Sequence, residues 1–172
     1  ASAFKLSGQR CVSSGRMIIQ GDVYHQFCKK FAAKARKLKT GNPFVTRYGT
    51  CGTPACIGIE SRLPNSEIYY GPLINKQGFE KVVKYNDMVM MDPEADVTVT
   101  PVRVLMDDNV YCLTPMVYQT EWRDVPYLKN EVFGPHVALI PFDTVEEGVK
   151  IYNDTEYGLA VGILTNNYRT AR

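Results

Sequence analysis

The chain has 172 residues, of which 45% are hydrophobic and 22% charged, and a net charge of +2. These values fit one globular domain with a sizeable core, and the charge is too small to select nucleic acid or an acidic membrane. No apolar run approaches the roughly 20 residues that cross a bilayer, and no leader sequence is visible, so a soluble, cytoplasmic protein is expected.

Short apolar runs alternate with helical periodicity, which predicts an α/β fold. Arg16 to Gln20 is a short buried strand. Asp22 is placed to cap a helix running to about Leu38, with Val23, Phe27, Phe31 and Ala35 on its inner face. Lysines crowd its other sides and its C-terminal end, where cations favour the helix dipole. Gly41-Asn42-Pro43 marks a stop, and Val45 to Tyr70 has no clear period. A second helix starts near Asn75 and turns Phe79, Val82, Val83 and Met90 inward. Val97 to Thr100 alternates as a strand and continues past Pro101 through Val104. Tyr111 to Tyr118 is extended, with Pro115 marking an edge or a strand start. His136 to Phe142 reads as a strand buried on both faces. Thr144 and Glu147 form a capping box for a helix ending near Asn153, and Leu159 to Leu164 follows as a last strand. Nothing reads as a linker between two domains.

Five cysteines, Cys11, Cys28, Cys51, Cys56 and Cys112, are odd in number and scattered. They make a poor disulfide framework and point to a reducing compartment. Cys51-x₄-Cys56 lacks a second Cys/His pair, so no metal is expected. Cys11 lies among small residues, Gly8, Ser13, Ser14 and Gly15, that permit close backbone approach. That setting suits a thiolate nucleophile with a backbone amide donating to a developing oxyanion. A buried structural thiol is the usual state of a cysteine and the leading reading from these local residues alone. His25 is expected on an exposed helix face and His136 at a structural position. A Cys–His dyad would need the fold to bring one of them beside Cys11.

Ser7-Gly8-Gln9-Arg10-Cys11, followed in order by Gly15-Arg16, Gly41-Asn42-Pro43-Phe44, Gly71-Pro72-Leu73-Ile74-Asn75 and Asn130-Glu131-Val132-Phe133-Gly134-Pro135, resembles the aldehyde dehydrogenase superfamily. Phe142-Asp143-Thr144 and Asn153-Asp154-Thr155-x-Tyr157-Gly158-Leu159 extend the resemblance over nearly the whole chain. It implies an aldehyde dehydrogenase-like catalytic domain, an open, mostly parallel sheet flanked by helices. By the same resemblance Cys11 attacks an aldehyde to give a thiohemiacetal and then a thioester. Glu131 hydrogen-bonds the nicotinamide ribose of NAD or NADP, and Phe133 packs against that end of the cofactor. A small-molecule aldehyde is the implied partner, with no nucleic acid or membrane, and the full-length protein is implied to be a homo-oligomer.

The sequence departs from that family in what it holds. A Glu-Leu-Gly-Gly segment with the general base, an upstream oxyanion Asn and a dinucleotide-binding domain are not among the 172 residues. Residues 1–172 are therefore expected to be a partial catalytic domain, truncated at both ends and inactive alone. Residues 45–70 exceed the family's usual connection. A cysteine-dependent acyl-transfer enzyme, esterase-like or CoA-acylating, and a non-enzymatic structural module are the competing readings.

Overall fold

The computed structural model describes residues 2–42, 68–104 and 111–167. The chain runs β1 (Arg16–Gln20), α1 (Gly21–Ala35), α2 (Lys76–Met90), β2 (Asp96–Val99), β3 (Arg103–Val104), β4 (Cys112–Leu113), β5 (Met116–Gln119), α3 (Pro126–Lys129), β6 (His136–Phe142) and α4 (Val145–Asn153). Four strands form one sheet in the order β1-β6-β5-β2, and β3 pairs with β4 separately. β1 and β5 both run parallel to β6, while β2 is antiparallel to β5. This is the α/β, mostly parallel sheet expected.

The period of two along β6 divides the core into layers. Val137 and Leu139 face α1, packing with Tyr24, Cys28, Ala32, Val99 and Val117. Ala138 and Ile140 face the other way, against Val89 of α2, Leu128 of α3 and Ile151 of α4. β6 is buried on both sides because it is central and helices cover both faces, the reason its sequence is a continuous apolar run.

The helices depart from the expected boundaries. Gln20, not Asp22, occupies the cap of α1, and Asp22 sits in its first turn. The buried stripe is Tyr24, Cys28, Ala32 and Ala35, with Phe27 and Phe31 at its margin and Val23 half-exposed. The shift of one position follows from Tyr24, whose hydroxyl donates to Leu139 O at 3.0 Å and draws that face onto the sheet. α2 starts as expected, with Asn75 Oδ1 accepting from Gly78 N at 2.8 Å, but Met90 at its end is exposed. At α4, Thr144 Oγ1 accepts from Glu147 N. The reciprocal bond, however, runs from Asp143 N to Glu147 Oε2.

Prolines divide what looked continuous. Pro101 has no N–H for a ladder, and the chain on its two sides joins different sheets as β2 and β3. Pro115 separates β4 from β5 in the same way, making it a strand start rather than an edge, because β5 lies inside the sheet. α3, opened by Pro126 at its first turn, was not anticipated. Residues 159–164 form no strand: no ladder partner reaches them among the described residues, and Leu159, Val161, Ile163 and Leu164 are exposed. Thr40 bridges Tyr70 in parallel, with Tyr69 N donating to Lys39 O at 2.8 Å, so the chain departs and returns at one point. Most of the irregular 45–70 stretch, with Cys51 and Cys56, lies outside the described residues.

His136, at the start of β6, is buried between two polar partners. Its Nδ1 meets Asn86 Oδ1 at 2.8 Å and its Nε2 meets Tyr118 Oη at 3.0 Å. An amide oxygen only accepts, so Nδ1 carries the proton and Nε2 accepts from the tyrosine hydroxyl. Burial pushes the imidazole pKa down to about 3, while the unfolded chain takes up this proton near pH 6.5. Because the folded value is depressed, stability is lost as pH falls below 6.5. About 2 kcal/mol should disappear between pH 6.5 and pH 5, at 1.36 kcal/mol per unit. Asp92 and Asp154, whose pKa values hydrogen bonds lower, act in the same direction only below about pH 4, the range where free carboxylates titrate. Urea midpoints at pH 7 and pH 5 check this, with the difference largely abolished in His136→Leu.

Candidate active site

Parallel pairing explains how Cys11 and Glu131, 120 positions apart, reach one place. The Cys11 loop leads into β1 and the Glu131–Pro135 loop leads into β6. These strands are parallel neighbours, with Arg16 opposite Ala138, so both loops lie at the same end of the sheet. Ala138 N donates to Gly15 O at 3.0 Å and closes the seam. Arg16 reaches across to Leu128 O at 2.7 Å, placing a cation at the C-terminal end of α3, where carbonyls point outward.

The loops touch backbone to backbone. A Cβ on Gly8 would overlap Gly134 O, and Gly8 has φ +71, which already disfavours any side chain. A Cβ on Gly134 would overlap Val82 of α2, its Cγ1 at 2.9 Å. Three segments therefore converge on two glycines that leave no room for a methyl group.

Around this contact the backbone is strained. Leu6, Ser7 and Phe133 have φ of 52°, 58° and 59°, the left-handed region that L-residues visit rarely. Such strain costs on the order of 1–3 kcal/mol per residue and persists only where the surroundings hold it. For Ser7 the restraint is visible: its buried hydroxyl donates to Gly71 O at 2.6 Å, with Pro72 O at 3.2 Å as a second acceptor. Gln9 adds another, its Oε1 accepting from Ile74 N at 2.9 Å and its Nε2 donating to Leu6 O at 3.2 Å. These bonds tie the Cys11 loop to the Gly71–Asn75 segment before α2.

A recess of about 280 Å³ opens beside them, lined by Gln9, Ile74, Gly78, Lys81, Glu131, Val132 and Phe133. Glu131 and Phe133 thus meet there, joined by Gln9 from the cysteine loop. Cys11 itself is not in the lining; it is exposed in the turn at Arg10–Ser13. Lys81 donates from Nζ to Glu131 O at 2.8 Å and fixes the loop's backbone. Lys81 did not stand out in the sequence, where it is one lysine on a polar helix face; Ser7 belongs to the motif around Cys11, but its bonds to Gly71 O and Pro72 O could not be read there. A larger groove of about 540 Å³ lies along α2, with Arg103 stacked over Phe79. None of the three expected site residues lines it, so volume does not choose the site here.

The other two described thiols are buried. Burial raises Cys112 to about 11 and raises Cys28 also, keeping both protonated at neutral pH. Among the described cysteines Cys11 alone is exposed, and no hydrogen bond within the described residues engages its amide. The dyad alternative loses both histidines. His136 has each ring nitrogen occupied. His25 lies on α1 beside Tyr24, beyond the end of β1 opposite to Cys11. No group of three His, Cys, Asp or Glu residues suited to a metal occurs among the described residues, nor is any described helix long and apolar enough to cross a membrane.

The model of the aldehyde dehydrogenase family matches residues 1–172. An aldehyde dehydrogenase-like protein of Schizosaccharomyces pombe is 31% identical over 169 residues, covering 98% of this chain and 29% of its own length. A mitochondrial succinate-semialdehyde dehydrogenase of Oryza sativa is 31% identical, covering 97% and 27% respectively. Lactaldehyde dehydrogenase from Escherichia coli superposes with a TM-score of 0.79 at 26% identity, over 99% of this chain and 31% of that one. The chain therefore spans somewhat under a third of the relatives it matches.

The glycine contact predicts a specific pattern of coupling. Gly134→Ala should destabilise the protein by about 1–3 kcal/mol through overpacking, and Val82→Ala should also destabilise it by leaving a cavity. In the double variant the new methyl fills the vacated space, so the combined loss should fall short of the sum by about 1 kcal/mol. Urea unfolding of the four proteins measures that difference; additive losses would show that Gly134 and Val82 do not meet.

Proposed function

The chain belongs to the aldehyde dehydrogenase family, and on that premise we propose that the longer protein oxidises an aldehyde to a carboxylic acid with NAD or NADP, using Cys11 as nucleophile. In this reading residues 1–172 are a partial catalytic domain, with dinucleotide binding supplied elsewhere. The observation that carries the reading is the seam itself, in which Gln9 of the cysteine loop shares a recess with Glu131 and Phe133.

The recess suits one end of a nicotinamide cofactor. It offers a carboxylate for ribose hydroxyls, a half-exposed aromatic ring and an ammonium group, in a volume too small for a whole dinucleotide. Glu131 accepts hydrogen bonds there, and charge-assisted bonds of this kind are the stronger class. Phe133 limits water on one side. A nicotinamide held there by Glu131 and Phe133 would supply the hydride acceptor for oxidation of the thiohemiacetal to a thioester.

Cys11 forms the S–C bond to the aldehyde carbon, and the carbonyl electron pair moves to oxygen. The Cys11 amide donates to that oxyanion, a role its freedom from internal bonds favours. After oxidation, water attacks the thioester carbon, the S–C bond breaks and the thiolate returns. The base for that water is the glutamate of the Glu-Leu-Gly-Gly segment, which these residues do not contain.

Three outcomes are expected. In the full-length enzyme Cys11→Ala should lower kcat/KM by several orders of magnitude, since a covalent nucleophile is lost. Glu131→Gln should cost about 10- to 100-fold, the worth of one charge-assisted hydrogen bond. The 172-residue chain alone, given aldehyde and NAD+, should produce no sustained NADH. Unimpaired NADH production by full-length Cys11→Ala would sink the reading.

A further inference from the structure

We infer that Asn86, His136 and Tyr118 are positioning residues for the recess, forming a buried polar chain that fixes both ends of the Asn130–Pro135 loop to α2 and β5. The inference rests on the proposed function for its kinetic readout, and on geometry alone for its structural one.

The loop begins where α3 ends and finishes where β6 starts. At the β6 end, His136 Nδ1–H donates to Asn86 Oδ1 at 2.8 Å. The same ring accepts the single proton of Tyr118 Oη at 3.0 Å, and that hydroxyl also lies against Tyr127 O in α3, 3.4 Å away. One tyrosine on β5 thus touches both boundaries of the loop. Tyr118 and Asn86 are buried with the histidine, at 0%, 3% and 4% exposure for Tyr118, Asn86 and His136. Met116 N donates to Pro135 O at 2.8 Å, pinning the last loop residue to the same strand.

Asn86 adds direction. It lies on α2, five residues after Lys81, which holds Glu131 O, and four after Val82, which Gly134 presses. α2 therefore grips the loop at Glu131, Gly134 and, through Asn86, His136. Packing of Val82 sets distance but not rotation. The hydrogen bond at His136 fixes the orientation in which the chain leaves the loop. That matters because Phe133 between them is held at φ 59, a conformation that relaxes unless its surroundings over-determine it. An apolar pair would fill the space at Asn86 and His136 equally well, since replacing both partners of a buried bond with apolar groups is often nearly neutral for stability. Stability alone gives no reason for three buried polar side chains here; loop orientation does.

The test uses the full-length protein carrying Asn86→Leu together with His136→Val, and separately Tyr118→Phe, which removes only a hydroxyl. Urea midpoints, KM for NAD+ and NADP+, KM for the aldehyde, and amide exchange of residues 131–134 are measured for each. The double variant leaves the Tyr118 hydroxyl only Tyr127 O, 3.4 Å away, as an acceptor, so its urea midpoint at pH 7 should fall modestly while the protein stays folded. The KM of the preferred cofactor should rise about 10-fold with the aldehyde KM unchanged, and the loop amides should exchange about 10-fold faster. Tyr118→Phe should shift the same quantities by a smaller factor. Unchanged cofactor KM and unchanged exchange in the double variant would overturn the inference and leave the cluster as core packing. If the double variant does not fold, Tyr118→Phe decides by the same two readings. If the unmutated protein oxidises no aldehyde, the functional reading fails, and loop exchange, which needs no cofactor, still decides the inference.

Discussion

The site hangs on one steric fact: a Cβ on Gly8 would overlap the Gly134 carbonyl and a Cβ on Gly134 would overlap Val82, so neither position admits a side chain. This contact joins the cysteine loop to the Glu131–Phe133 loop, and Val82 presses the second loop from behind. Sheet pairing alone places the loops at one end of the domain, but only to within the reach of two flexible connections. The glycine contact removes that latitude. Ser7, Gln9 and Lys81 then act as ties around a joint already closed, each bonding to a backbone carbonyl or amide of the neighbouring segment. Ties to main-chain atoms hold a loop's shape with little dependence on side-chain packing.

Burial sorts chemically equivalent groups into different states. Cys28 and Cys112 are packed against apolar neighbours and stay protonated, whereas Cys11 is open to solvent. The two histidines divide similarly, one on a helix surface and one neutral inside the core. These differences come from position in the fold, since nothing in the residue types sets one cysteine or one histidine apart.

Much of the fold was legible because its signals are local. The apolar run of β6, the Asn75 and Thr144 caps and the prolines at 101 and 115 each act within a few residues, and each marks a boundary in the structure. Pro101 and Pro115 show the limit: both were visible as interruptions, but that the chain changes sheet there depends on partners distant in sequence. The inner face of α1 was misplaced by one position because apolar residues flank the true stripe, and Tyr24 is drawn inward by a carbonyl on β6. Residues 159–164 have the alternation of a strand, yet a strand exists only with a neighbour to bond it. At the site, Gly8, Cys11, Glu131, Phe133 and Gly134 could be singled out by resemblance. Lys81 could not, and neither could the tie Ser7 makes, because their partners are main-chain oxygens, which leave no mark on composition. The left-handed turns at Leu6, Ser7 and Phe133 were equally hidden, since no glycine announces them.

The bridge between Thr40 and Tyr70 has a separate consequence. Because the chain departs and returns at the same point, the length of the intervening segment is uncoupled from the register of everything on either side. Doubling such a closed excursion costs only about 0.6 kcal/mol in loop entropy. The Gly71–Asn75 segment that Ser7 and Gln9 bond is thus placed from the end of α1 through this pairing.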